Sequence, residues 1–108
     1  MKKRKVIMTD TAKNDLREIA LGILELSGDS DTAVNFVLEL EDRCTVLESQ
    51  SESGAIPKDY ILKVMGYRFL VHKHYLIFYL SDASVDTVYI HAFFNEKLDC
   101  FRYMRKRI

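Results

Sequence analysis

The chain has 108 residues, 48% of them hydrophobic, which suits one domain (1–108) over a single core and leaves no room for a second. Its 16 Lys and Arg balance 16 Asp and Glu to a formal net charge of +0, so overall composition excludes a general nucleic-acid coating and a membrane-surface role. No stretch reaches the roughly 20 apolar residues of a membrane span, and the basic start leads straight into a strand-like run without a signal-peptide core, so a cytoplasmic protein is expected.

In chain order, Lys5-Val6-Ile7-Met8 predicts a first strand, and Thr9 or Asp10 can cap a helix behind it. Ala12, Leu16, Ile19, Ala20, Ile23 and Leu24 recur at helical steps, and Gly28 ends that helix. Ser30 or Asp31 caps a second helix whose buried stripe is Ala33, Phe36, Val37, Leu40, Cys44 and Leu47, so the pair should form an antiparallel hairpin. The polar run Ser49–Gly54 reads as the most mobile loop, and Pro57 stops any helix through it. Ile61–Met65 then opens a four-stranded meander, followed by Tyr67–Val71, Tyr75–Tyr79 and Val88–Phe94 across short polar gaps. A terminal helix from about Leu98 to Arg105 closes an α+β layout in which a helical hairpin lies on a mostly antiparallel sheet.

Charge is unevenly spread: acid gathers in the middle, base at the start (Lys2, Lys3, Arg4, Lys5) and at the tail (Lys97, Arg102, Arg105, Lys106, Arg107). If the first strand and the tail meet, they make one basic edge for an anionic partner. Cys44 and Cys100 read as reduced, buried small hydrophobes. Arg68, His72 and His74 share a face if one strand runs straight through them, either a row facing a substrate or an ordinary solvated sheet face. His72, His74 and His91 lack the further ligands of a zinc site, so no metal or cofactor is expected. Most of the aromatic residues on the strands read as core, with Tyr89 and Phe93 on the face opposite Val88 and Ile90, open to a partner.

The opening strand and Ala12-x-x-x-Leu16 helix, the Tyr67-Arg68 pair, the Tyr75-Leu76-Ile77-Phe78-Tyr79 strand and the Val88-Tyr89-Ile90 strand together resemble the RelE/ParE superfamily of toxins from bacterial type II toxin–antitoxin (plasmid stabilisation) modules. The resemblance implies a growth-inhibiting toxin neutralised by a cognate antitoxin, acting by ribosome-dependent messenger-RNA cleavage or on DNA gyrase, as a homodimer or a toxin–antitoxin heterotetramer. For the nuclease it implies Arg68 and Lys97 as catalytic cations, with His72, His74, Arg102 and Arg105 on RNA or another target. Leu76, Ala92 and Asn95 stand where nuclease-type relatives carry basic residues or histidine, so the nuclease set is incomplete and the enzyme reading stays open. The alternative is a catalytically degenerate module that keeps the fold for protein binding.

Overall fold

The computed structural model describes residues 3–108; Lys2 of the basic start lies outside them. Strand β1 is Lys5–Met8. Thr9 then accepts the Ala12 N–H on its side chain and caps helix α1, Asp10–Ser27, which Gly28 ends at φ 68 in the left-handed region. Helix α2 is Ser30–Cys44, and its cap is Asp29 rather than Ser30 or Asp31. A carboxylate has two acceptors, and Asp29 uses both, one for the Asp31 N–H and one for the Thr32 hydroxyl. A 3₁₀ turn, Thr45–Glu48, prolongs α2 and carries Leu47 into the core.

Ile61–Met65 does not open the sheet. Tyr60–Val64 is a short helix, α3, capped by Asp59, whose Oδ1 accepts the Leu62 N–H. Its apolar run is buried only at Leu62 (0% exposed), while Ile61, Val64 and Met65 face outward. Gly66, at φ 90, makes the turn that follows. The meander therefore has three strands, β2 (Arg68–His72), β3 (Tyr75–Asp82) and β4 (Thr87–Asn95), before helix α4 (Cys100–Arg105). The fourth strand of the sheet is β1, which pairs parallel to β4 and gives the order β1-β4-β3-β2.

Both faces of this mixed sheet are covered. Against α1 and α2 lies a core of Leu16, Leu40, Leu47, Leu70, Ile77, Tyr79, Val88, Ile90 and Phe93. Against α3 and α4 lies a second core of Leu62, Tyr67, Phe78, Ala92, Phe94, Cys100 and Met104. Cys44 and Cys100 are both free and buried, and burial pushes the Cys44 thiol up to about 12, the state of an inert packing residue.

Phe93 belongs to the first core with Val88 and Ile90, not opposite them. The ladder between β3 and β4 shifts at Phe78/Tyr79: Tyr79 faces Ile90, Phe78 faces Ala92, and His91 is the extra residue of a bulge. One inserted residue reverses the alternation beyond it, so Phe93 swings under the helices and Ala92 and Phe94 turn to the other face. His91 itself stands edge-on to Tyr67, with ring centroids 5.4 Å apart. Burial, and then the nearby Arg107 guanidinium, hold its imidazole below the ordinary value.

Candidate functional site

Arg68 begins β2 and pairs across the sheet with Tyr79. Its Nη1 donates to the carbonyls of Glu52 and Gly54, both at 3.1 Å, and the Gly54 N–H donates to the buried Tyr79 hydroxyl at 2.9 Å. Ala55 adds two backbone bonds to Phe69. The loop expected to be the most mobile is thus pinned to the strand end at several points. It borders an open cavity of about 410 Å³ beside Arg68, lined among others by Arg4, Glu52, Lys63, Tyr67, Arg68 and Ser81. Arg4 donates to the Ser81 hydroxyl on the cavity wall. Burial raises the Tyr79 phenol, which stays a neutral hydroxyl at physiological pH.

The other predicted site residues lie elsewhere. Arg68, Leu70 and His72 share a face, but Leu70 belongs to the core under the helices and His72 meets Phe36 of α2, so the row is not an open sheet face; Arg68 lies under the 52–54 loop instead. His74 leaves the row altogether: Lys73 takes φ 52 in the turn between β2 and β3, and the strand does not run through. His72 sits against Phe36 with Nε2 3.7 Å from a Glu39 carboxylate oxygen, and Lys73 Nζ approaches the same oxygen at 3.0 Å. The Lys73 ammonium is the main reason that the Glu39 carboxyl is held below its usual value. His74 Nδ1 lies 2.6 Å from Glu96 Oε1.

Lys97 is exposed just past β4, where its N–H donates to the Asn95 side chain at 2.9 Å. Asn95 pairs with Tyr75, and Tyr75 with His72, so Lys97 stands near the His72 end of β2 while Arg68 holds the other end. Four residues of strand separate those ends by about 13 Å. Arg102 is exposed on α4, and Arg105 Nε is bound at 2.8 Å by Asp59, the cap of α3. The two expected catalytic cations are therefore not brought together.

The basic start and basic tail do not form one edge either. Lys5 pairs with Thr87 at the beginning of β4, whereas the tail follows its end. The tail is held by a contact that no spacing in the sequence indicates. Arg107 makes two 2.7 Å bonds to the Asp15 carboxylate, a third at 3.1 Å to the His91 carbonyl, and lies 4.6 Å from the centre of the Phe94 ring. Asp15 also accepts the Phe93 N–H at 3.0 Å. Since β1 ends at Met8 opposite Ile90, these two side chains satisfy the stretch of β4 edge that β1 leaves open. Among the described residues no cluster of three His, Cys, Asp or Glu gathers that could hold a metal ion.

The fold defines the structural class. The chain superposes on a protein of the chromosomal ParDE toxin–antitoxin system from P. aeruginosa with a TM-score of 0.71 at 18% identity, covering 86% of this chain and 96% of that one. It also superposes on a chain of the RelBE2 toxin–antitoxin complex from Mycobacterium tuberculosis with a TM-score of 0.56 at 22% identity, covering 86% and 98%. No curated protein gives a significant match. The particular family comes from the sequence itself: residues 6–97 match the model of the ParE toxin of the type II toxin–antitoxin system parDE, and the chain belongs to that family.

Proposed function

We propose that this ParE-family toxin arrests growth by acting on DNA gyrase rather than by cutting messenger RNA, and that a cognate antitoxin silences it by covering the outer half of the α1–α2 hairpin. The dispersal of the nuclease candidates carries the first part. Cleavage at a 2′-hydroxyl needs a base, a proton donor and cations converging on one phosphate. Here Arg68 and Lys97 lie at opposite ends of a strand, His74 faces Glu96 and Arg105 faces Asp59. A toxin that works by binding another protein needs none of that convergence.

Exposed apolar side chains support the second part. On the hairpin Leu21, Leu26, Val34 and Leu38 stand open, Leu26 at 93%. Between the helices a groove of about 490 Å³ is floored by Leu16, Ala20 and Val37 and rimmed by Lys13, Arg17 and Glu41. Such a groove suits the apolar face of an amphipathic helix.

The deciding experiment is inducible expression of the chain alone in bacteria, following growth, messenger-RNA ends and plasmid supercoiling together. The expected result is arrest with disturbed supercoiling and no new RNA ends, retained in Arg68→Ala. Cleavages inside translated codons that vanish in Arg68→Ala would overturn the gyrase reading in favour of the nuclease, and absence of arrest would favour the degenerate binding module.

A further inference from the structure

The cavity over Arg68 has a chemistry to which the proposed function assigns no role. Arg4, Lys63 and Arg68 line it with only Glu52 to oppose them, three cations against one carboxylate. Among the described residues, Lys63 has no ion-pair partner and Arg68 commits only Nη1, to two carbonyls that fix the guanidinium without neutralising it. Arg4 is oriented by Ser81, whose hydroxyl belongs to the same wall. Three cations from three separated segments, the lead-in to β1, α3 and the start of β2, thus line one concave space that the pinned loop flanks.

From this juxtaposition we infer that the Arg4–Lys63–Arg68 cavity binds a phosphate monoester. Charge selects the ligand class: the wall carries a surplus of two positive charges, and a monoester above its second pKa of about 6 carries close to two negative ones, whereas a bridging phosphodiester carries one. Guanidinium groups add planar two-point recognition of phosphate oxygens. The volume, about 410 Å³, lies within the range of small-molecule sites and admits more than the phosphate, so a nucleotide is a natural source of the monoester.

The test is a titration of the purified, isotopically labelled chain, at constant ionic strength, with inorganic phosphate, a nucleoside 5′-monophosphate, and a dinucleotide whose only phosphate is the internal diester. Saturable shifts are expected at the amides of Gly54, Gly66 and Ser81 with the first two ligands, with affinity rising between pH 5.5 and 7.5 as the monoester gains its second charge. Lys63→Gln changes an exposed helical side chain and should weaken binding about tenfold without altering the spectrum elsewhere; Arg4→Gln should do the same. A nucleotide that binds more tightly than inorganic phosphate would identify the nucleotide as the source, and equal binding would identify free phosphate. Shifts that do not saturate, equal binding of the diester, or affinity unchanged in Lys63→Gln would each overturn the inference. None of these readouts depends on growth arrest, so the gyrase reading can fail without touching this one.

Discussion

Gly54 shows how much one residue without a Cβ can decide. A Cβ built there would stand 2.6 Å from the Tyr79 hydroxyl oxygen, 2.7 Å from the ring carbon beside it and 2.9 Å from the Phe69 carbonyl. Tyr79 is 1% exposed and its ring cannot swing aside, so the substitution must displace the loop. Gly54→Ala should lower stability by about 1–3 kcal/mol, read as a fall in thermal midpoint, and should weaken the Arg68 bonds to the Glu52 and Gly54 carbonyls. Tyr79→Phe separates clash from hydrogen bond: it leaves the Gly54 N–H without its acceptor and should cost about 1–3 kcal/mol with the loop path intact. An unchanged midpoint in Gly54→Ala would show that the loop moves freely. Nothing about Gly54 in the sequence distinguishes it from any other loop glycine, because its constraint comes from Tyr79, 25 residues away.

At the level of elements, periodicity located most of the structure. Of the α2 stripe predicted at Ala33, Phe36, Val37, Leu40, Cys44 and Leu47, Phe36 and Val37 are half-buried and the other four are buried, and β2, β3 and β4 fall on their apolar runs. The α1 stripe is only half used: Ala12 and Leu16 are buried, Ile19, Ala20 and Ile23 are half-buried, and Leu24 is 39% exposed. Two misreadings have one cause, that a local pattern cannot report what packs on it. Ile61–Met65 has strand composition, yet Asp59 caps its backbone and only Leu62 finds a core. In β4 the alternation is sound up to Ile90, and the bulge at His91 inverts it. Asp59 links two short elements, capping α3 and holding Arg105 of α4 at 2.8 Å. Asp59→Ala should therefore cost about 1–2 kcal/mol, mostly the cap, since Arg105 is half exposed. Amide exchange should accelerate in both α3 and α4 while α1 and α2 keep their protection. Acceleration confined to α3 would show that the Arg105 contact does nothing to hold α4.

On the scale of the whole molecule, the sheet is covered along most of its edges, with strand β1 the exception. The β2 edge is covered by Ala55 and by Arg43, which donates to the Val71 carbonyl, and the end of β4 by Asp15 and Arg107. Strand β1 is the edge left over: Lys5 and Thr9 direct their N–H groups at β4, so alternation turns those of Val6 and Met8 outward, beside the hairpin groove. An unpaired strand edge next to an apolar groove is a surface that a partner can complete. Leu38, 55% exposed, lines that groove, so Leu38→Asp should change stability by no more than about 0.5 kcal/mol. It should leave growth arrest in place and abolish rescue and co-purification with the co-expressed antitoxin. Full rescue of Leu38→Asp would place the antitoxin elsewhere.

The sequence by itself determined what depends on neighbours along the chain: the α1 cap at Thr9, most of the α2 stripe, three of the four strands expected in the meander, the buried cysteines, and the motifs that led to the family. Those features are set by side-chain alternation and capping within a few residues. Only the tertiary structure decided what depends on distant partners. It placed β1 beside β4, turned Phe93 under the helices, tied Arg107 to Asp15, separated Lys97 from Arg68, and brought Arg4 and Lys63 to Arg68 instead. No period or spacing carries such information, because each of these contacts joins segments whose approach is fixed by how two helical layers pack on one twisted, bulged sheet.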